Sequence, residues 1–373
     1  MAYSNVKIGM LSLNFSWHGE ATSAASWTTH LKNNGYDVEL FSFSRSGKKI
    51  KRMRTDYEFT CLKSKDEAAC LEFLDSKDVI VSFGTGLPGE DPDRYPDYVN
   101  LLASMRTPLI IYIPTHPELL LKTYRHSEQL LYIAQGFLFL RDSIRKHCYE
   151  SYSNIFQGRP YHIAKCPVSM QGVKPTRKET NRLVCATRIT PVKRLKQILQ
   201  AVRDHNLTTP FDIWGDTGDS RYGYLLSKEF GDLFLDRYRG PYTHEMLDRI
   251  YAPARFCFDM TNVYSDGGVQ HSYLEAMKRS VVPIVPAHWN VVSSCVTASN
   301  TNASDIAAAV EFAVSMSEDD RLSLIERGHT YIRENHDPFT VTKGFTEYAA
   351  AVVGRWKGGL MPSSLDAAPL KAV

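Results

Sequence analysis

Short apolar runs alternate with helix-period segments along both halves of the chain. Runs in the first half predict strands at 7–13, 37–43, 79–83, 109–113 and 136–140. A predicted helix at 21–33 follows the first strand and ends at Asn34 and Gly35. Strands and helices in this alternation form a parallel sheet with right-handed crossovers, and ligands gather at the carboxyl ends of its strands. The sequence therefore predicts an α/β fold whose functional residues lie in the loops after the strands.

The alternation is interrupted between 161 and 179, where Pro160, Pro167, Gly172 and Pro175 lie among Lys and Arg residues. This composition is typical of an interdomain linker. A second series follows, with strands predicted at 182–186, 211–215, 255–260 and 281–285 and helices at 244–251, 305–314, 318–335 and 339–356. A chain of 373 residues is also too long for one ordinary core. We expect Rossmann-like, doubly wound domains at 1–170 and 171–338, a helix at 339–357 that crosses back to the first domain, and a disordered tail at 358–373.

The composition is that of a globular protein, with 43% hydrophobic and 23% charged residues. No apolar run is long enough to cross a bilayer, and the N-terminus lacks the pattern of a signal peptide. The seven cysteines have no paired or metal-ligand spacing, which favours reduced thiols, a cytoplasmic location and no structural metal. The net charge of +3 is too small to indicate a partner by itself.

One stretch of the second half, at 261–286, combines adjacent glycines with a helix and a buried strand. Gly267 and Gly268 precede a helix-period run that carries Glu275, and an apolar strand ends the stretch. Free backbone N–H groups and the positive end of a helix dipole then meet at one point, which suits an anion. The alternative is an ordinary strand–loop–helix connection.

Two cations stand at the start of the second series. Arg188 follows the strand predicted at 182–186, and Lys193 comes five residues later, after Thr190 as N-cap and Pro191 as first helical residue. With this spacing, and with Glu275 in a Leu-Glu-Ala-Met sequence, the second half resembles the nucleotide-sugar domain of retaining GT-B glycosyltransferases that carry an E-x7-E motif. The resemblance implies two Rossmann-like domains facing across a cleft, and two cations that neutralise a sugar nucleotide's diphosphate as the sugar–phosphate bond breaks. The alternative is that both are surface charges.

The same resemblance assigns further donor contacts. Gly215 resembles the glycine beside the nucleobase, Tyr242 belongs to the segment before the motif, and Glu275 resembles the glutamate that binds the ribose. The first glutamate of the motif falls on Gly267, so either the neighbouring Asp266 contacts the sugar hydroxyls or that contact is absent. Backbone N–H groups of the loop would still reach the sugar or its phosphate; its residues are Gly267, Gly268 and Val269.

The first half resembles the family more loosely. His116 follows the fourth strand, where the family has a histidine that hydrogen-bonds the donor sugar, although a structural histidine is an equal alternative. Gly19 resembles the glycine of the family's acceptor-side loop. The resemblance implies a mechanism without an enzyme nucleophile, in which the leaving diphosphate deprotonates a hydroxyl that attacks from the same face. We expect a UDP-sugar donor, with UDP-glucose favoured, and no bound metal.

A basic segment follows the second strand and indicates the acceptor. It contains no acid, and its cations are Arg45, Lys48, Lys49, Lys51, Arg52 and Arg54. Such a run is either a solvated surface loop or a contact for the phosphates of a polyanion. The chain is similar, in size and in the lost first glutamate of the motif, to phage DNA glucosyltransferases of the GT-B class. This resemblance favours hydroxymethylated bases, flipped out of duplex DNA, as the acceptor, and the host cytoplasm as the location.

Other functions remain open at this point. A glycan, lipid or small-molecule acceptor is common in the same family. The glycine in place of the motif glutamate also leaves room for a non-catalytic nucleotide or DNA binder. Two doubly wound domains are equally compatible with an epimerase-like enzyme, since a fold does not determine a chemistry.

Overall fold

The structure is a computed structural model that describes residues 6–12, 19–44, 58–83, 95–114, 121, 127–178, 181–217, 220–261, 270–289 and 294–359. The chain divides into two compact units. The first comprises Met1–Pro167 together with Pro338–Val373, and the second comprises Val168–Asp337. Each unit is built on a parallel sheet with helices packed against it. This confirms the predicted α/β class.

The sheet of the first unit has the strand order β3-β2-β1-β4-β5-β6-β7, and every neighbouring pair is parallel. Its central strands are buried on both faces and therefore read as continuous apolar runs. The strands are β1 Ile8–Ser12, β2 Val38–Ser44, β3 Thr60–Lys63, β4 Val79–Phe83, β5 Leu109–Ile113, β6 Gly136–Phe139 and β7 Tyr161–Ile163.

The edge strands of this sheet differ from the prediction. β3 was not predicted, and β7 lies in the segment that the sequence assigned to the linker. Both are short and only partly buried, so neither shows the apolar run that marks a central strand. The interdomain segment is therefore shorter than expected.

The helices of the first unit include the last helix of the chain. They are α1 Gly19–Asn33, α2 Glu67–Asp75, α3 Tyr95–Ser104, α4 Ser127–Ile133, α5 Asp142–Ser151, α6 Ser153–Phe156 and, after the second unit, α14 Pro338–Lys357. On α14, the buried Phe345 packs edge-on against Trp27 of α1 with ring centroids 5.1 Å apart. The hydroxyl of Tyr348 lies 3.1 Å from the carbonyl oxygen of Phe137 and 3.0 Å from that of Pro160. These contacts make α14 part of the first core.

The sheet of the second unit has the order β12-β11-β10-β8-β9, again with parallel neighbours. Its strands are β8 Arg182–Ala186, β9 Phe211–Trp214, β10 Ala254–Phe258, β11 Val282–Pro286 and β12 Val296–Ala298. Its helices are α7 Leu195–Asp204, α8 Ser220–Phe230, α9 Asp232–Leu235, α10 Leu247–Tyr251, α11 Gln270–Lys278, α12 Ala303–Ser315 and α13 Glu318–Asn335. The short strand β12 was not predicted.

This strand order brings three segments together. β8 lies between β9 and β10, so the residues that follow these strands lie side by side at the carboxyl edge of the sheet. Arg188 follows β8, Gly215 follows β9 and Thr261 follows β10. The described residues that directly follow β8, β9 and β10 are therefore neighbours within the second unit.

Candidate functional site

Lys193 lies in a tight turn and not on the α-helix that the sequence predicted for it. Pro191–Lys193 form a single 3₁₀ turn, closed by a hydrogen bond of 3.0 Å from the N–H of Arg194 to the carbonyl of Pro191. Arg194 then adopts a left-handed conformation, with φ at 54°, and α7 begins only at Leu195. Because Arg194 is left-handed, the backbone of the turn does not continue into α7 as one helix. The predicted first helical residue, Pro191, is therefore corrected by four residues to Leu195.

The ammonium group of Lys193 points into the domain. The side chain is only 5% exposed, and its Nζ donates a hydrogen bond of 3.2 Å to Oγ1 of Thr261. The alternative that Lys193 is a surface charge is therefore wrong. Arg188, five residues earlier, is partly buried.

A carboxylate that the sequence did not single out lies beside this lysine. Asp259, directly after β10, is 5% exposed. Its Oδ1 accepts a hydrogen bond of 2.5 Å from the hydroxyl of Thr261, and its Oδ2 accepts one from the hydroxyl of Ser272 on α11. The indole N–H of Trp289 donates to the carbonyl of Thr261 at 3.1 Å. An acidic residue within an otherwise apolar, strand-like run was the only sequence signal for this position.

Gly215 is required by a close approach of two backbones. A Cβ at this position would lie 1.8 Å from the carbonyl oxygen of Thr187, which precedes Arg188. Its own N–H donates to the carbonyl of Gly240 at 2.9 Å. The glycine therefore sets how tightly the end of β9 packs against the Arg188 segment. A role beside a nucleobase stays a prediction.

Tyr242 is bound to the end of β8. Its hydroxyl donates a hydrogen bond of 3.1 Å to the carbonyl of Ala186, at the end of β8. Burial raises the pKa of this phenol well above its ordinary value, and the charges of Asp259 and Glu275 raise it further, whereas Arg188 opposes them. The ring of Tyr242 packs against the buried cluster that contains Leu247 and Ile250, so the tyrosine fixes the segment before α10 to the end of β8.

Glu275 is held on α11 by a partner one turn away. Its carboxylate forms an ion pair with Arg279, whose Nε also contacts Oδ1 of Asp248 at 2.7 Å. Nε2 of His244 lies 3.9 Å from Oε1 of Glu275. The side chain of Glu275 is 17% exposed, so one carboxylate is oriented at the domain surface with a cation behind it. Binding of a ribose by this carboxylate stays a prediction.

Several predicted site residues lie outside the described part of the chain. They are His116, Asp266, Gly267, Gly268 and Val269 of the predicted donor site, and Arg45, Lys48, Lys49, Lys51, Arg52 and Arg54 of the basic segment. Gly19 is described and is the first residue of α1, so it begins a helix and does not lie within a loop.

Metal ligands and membrane helices were searched among the described residues alone. There, no three His, Cys, Asp or Glu side chains converge on a point that could hold a metal ion. One Asp-x-Asp spacing occurs in the sequence, at Asp91 and Asp93, and it falls outside those ranges. All seven cysteines fall inside them, and none is disulfide-bonded. None of the described helices combines the length and the apolar character needed to span a membrane.

Comparison with known proteins identifies relatives by structure alone. No protein-family model matches the sequence, and no curated protein matches it. Solved structures with the same fold include an alpha-glucosyltransferase in complex with UDP and a 13-mer DNA containing an HMU base. It has a TM-score of 0.73 and 13% identity, over 92% of this chain and 99% of that one. Another structure, of an alpha-glucosyltransferase with UDP-glucose and DNA containing an abasic site, has a TM-score of 0.72 and 13% identity, over 92% and 99% of the two chains.

A further structure with this fold comes from Anabaena. It is Alr3699/HepE in complex with UDP and glucose, with a TM-score of 0.70 and 11% identity, over 93% of this chain and 100% of that one. At sequence identities this low, the structural similarity establishes a shared fold and leaves the activity open. The chain therefore has the GT-B fold, with one parallel α/β sheet in each unit, as the resemblance implied.

Proposed function

We propose that the protein is a retaining glycosyltransferase that transfers glucose from UDP-glucose to a hydroxyl group, with hydroxymethylated bases in DNA as the favoured acceptor. One observation carries the proposal. The buried Lys193 lies at the carboxyl edge of one parallel sheet, where Thr261 after the neighbouring strand β10 holds its ammonium, in a fold that this chain shares with UDP-glucose-bound glucosyltransferases.

The cations account for the main chemical demand of the reaction. When a sugar–phosphate bond breaks, negative charge grows on the leaving diphosphate, and preorganised cations stabilise it most where water is excluded. Lys193 is such a group, since its ammonium is already ordered by Thr261. Arg188 would add a planar guanidinium that can bind two phosphate oxygens at once.

The nucleoside end of the donor would be bound separately. Glu275 would accept hydrogen bonds from the ribose hydroxyls through the oxygen that faces away from Arg279. The end of β9 at Gly215 would pack near the base. The diphosphate itself would take the acceptor's proton, so the protein supplies orientation and charge stabilisation and no nucleophile.

DNA is favoured as the acceptor for two reasons. The first two glucosyltransferases compared above were solved with DNA, and this chain carries six cations in the short basic segment 45–54. Such cations bind phosphates and would give an affinity that falls steeply with salt. The target base would have to leave the helix to reach the donor sugar.

A second acceptor class is suggested by the Anabaena structure, which was solved in complex with UDP and glucose. The alternative function is therefore a glucosyltransferase for a glycan, a lipid or a small molecule. A non-catalytic binder of nucleotides or DNA is the other alternative.

The proposal is tested by following UDP release from UDP-glucose with duplex DNA that either contains or lacks hydroxymethylated bases. We expect release only with the modified DNA, and an α-linked glucose in the product by NMR. UDP-galactose, GDP-glucose and ADP-glucose serve as donor controls. UDP release with glycan or lipid acceptors but not with DNA would show that the acceptor is not DNA. UDP binding without turnover on any acceptor would show that the protein is a non-catalytic nucleotide binder.

Variants connect the activity with the site. Lys193→Ala and Arg188→Ala should each lower kcat/KM by about 100-fold, since each removes a charge from the leaving group. Lys196→Ala is the matched control, because Lys196 lies nearby on α7 but pairs with Glu229 at the exposed surface. Its activity should stay within about twofold of wild type. Equal losses in all three variants would refute the assignment of these cations.

A further inference from the structure

The buried carboxylate of Asp259 joins two parts of the candidate donor site. Its Oδ1 receives the hydroxyl hydrogen of Thr261, whose oxygen in turn accepts from Nζ of Lys193. A chain of hydrogen bonds with one direction thus runs from the ammonium to the carboxylate. Its Oδ2 receives the hydroxyl of Ser272, three residues before Glu275 on the same helix. One side chain therefore connects Lys193 with the first turns of α11.

A carboxylate in this place needs a reason. Asp259 is 5% exposed, and a buried charge is destabilising unless it is paired and hydrogen-bonded. The hydroxyls of Thr261 and Ser272 donate to its oxygens, and the backbone N–H of Thr261 lies 3.4 Å from Oδ1. Lys193 supplies the opposite charge, with the hydroxyl of Thr261 between the ammonium and the carboxylate. A neutral side chain such as Asn or Leu would avoid the cost of burial, so the charge is retained for something other than packing alone.

The connected elements come from distant parts of the sequence. Lys193 and Thr261 are 68 positions apart. Lys193 follows β8, Thr261 follows β10, and Ser272 lies on α11 after the glycine stretch. None of these segments could set its position relative to the others through local structure. The carboxylate therefore links all three segments, and through Thr261 it orients the ammonium of Lys193.

We propose that Asp259 is a positioning residue for the donor diphosphate, which holds the ammonium of Lys193 through Thr261 while Ser272 satisfies its other oxygen. The proposal rests on the proposed function, since it concerns how the same site binds a nucleoside diphosphate. Asp259 does not touch the donor. It acts by ordering Lys193 before the diphosphate arrives, which lowers the cost of binding.

The experiment measures the affinity for UDP by calorimetry and for uridine by NMR titration. Asp259→Asn keeps the shape and removes the charge. We expect it to weaken UDP binding by about tenfold or more and to leave uridine binding within about twofold, because uridine has no diphosphate for Lys193 to contact. Thr261→Val should weaken UDP binding in the same selective way, whereas Thr261→Ser keeps the hydroxyl and should restore it.

A double-mutant cycle separates positioning from a general loss of structure. If Asp259 acts through Lys193, then Asp259→Asn should cause no further loss of UDP affinity in a Lys193→Met background. Equal weakening of UDP and uridine, or an undiminished effect of Asp259→Asn in the Lys193→Met background, would overturn the proposal. Should Asp259→Asn fail to fold, Thr261→Val and Thr261→Ser carry the same comparison.

Failure of this inference can be told from failure of the proposed function. If the wild-type protein binds no UDP, both are overturned. If it binds UDP and transfers glucose but Asp259→Asn and Thr261→Val bind UDP as well as wild type does, only the positioning role is overturned.

Discussion

Arg321 is a buried side chain that hydrogen-bonds to three separate segments of the second unit. It lies on α13, is 1% exposed, and donates from Nη1 to the carbonyl of Ser280 at 2.8 Å and from Nη2 to the carbonyl of Thr176 at 2.9 Å. Its Nε and Nη2 also contact the carboxylate of Glu318 at 2.9 and 2.8 Å. The guanidinium therefore joins α13 to the turn after α11 and to the segment before β8.

Arg321→Met preserves the length of the aliphatic chain and removes all of these donors. The carbonyl of Ser280, a residue that is 1% exposed, loses a buried partner at about 1–3 kcal/mol, whereas the carbonyl of the exposed Thr176 can turn to water at a smaller cost. Glu318 is 20% exposed and keeps Arg255 at 3.5 Å, so its carboxylate is not left unpaired. We therefore expect the free energy of unfolding of the second unit to fall by about 2–4 kcal/mol, mainly through the buried carbonyl of Ser280.

The measurement is urea denaturation followed by circular dichroism. Arg333→Met is the matched control, because Arg333 lies on the same helix, is 45% exposed and approaches Glu326 only to 3.8 Å. The control should change the free energy of unfolding by less than about 0.5 kcal/mol. A loss below about 1 kcal/mol for Arg321→Met, or one equal to that of the control, would refute the reasoning.

The ion pair between Arg321 and Glu318 predicts that the stability of the second unit depends on pH. The hydrogen bond from Arg321 holds the pKa of Glu318 below its ordinary value of 4.5. A carboxyl group whose pKa is lowered on folding adds stability that is present above the unfolded pKa and is lost as the pH falls through the folded pKa. The difference in stability between wild type and Arg321→Met should therefore narrow as the pH falls below 4.5. A difference that stays constant down to pH 3 would contradict this, as measured by urea titrations at each pH.

Further substitutions test backbone packing and a buried hydroxyl. Gly215→Ala should lower the stability of the second unit by more than about 3 kcal/mol, because its methyl group would stand 1.8 Å from a backbone oxygen that cannot move aside cheaply. Gly354→Ala is its control and should stabilise by about 0.5–1 kcal/mol, since Gly354 is exposed on α14 with no atom within 4 Å of the added Cβ. Tyr348→Phe removes the hydroxyl that bonds the carbonyls of Phe137 and Pro160 and should cost about 1–2 kcal/mol. Thermal and urea denaturation check all three, and a neutral Gly215→Ala or Tyr348→Phe would contradict the packing described above.

The central strands were predictable because both of their faces are covered. β4, β5 and β8 have the predicted bounds, and their residues are buried almost without exception. A strand buried on both sides must be apolar throughout, so it is visible as a run in the sequence. Three of the four edge strands, β3, β7 and β12, are short and of mixed composition and gave no such run. The fourth, β9, is mostly buried and was predicted.

The candidate site was predictable only in part. Arg188, Lys193, Gly215 and Glu275 could be named in advance because their spacing and neighbours resemble a family motif, and their roles stay predictions. Asp259 could not, because it gains its importance from partners far away in sequence. Its hydrogen bonds reach one group on a helix that begins eleven residues later and, through Thr261, another on a turn before β9.

The sequence by itself determined the α/β class, the two alternating series and the order of the charged loops, because local periodicity and turn residues act over a few positions. Only the tertiary structure decided that Lys193 is buried, that it stands in a turn closed by a left-handed residue, and that a carboxylate lies behind it. Burial and charge pairing depend on which strands become neighbours. In this chain β8 lies between β9 and β10, and that order brings the turn of Lys193 to the end of β10.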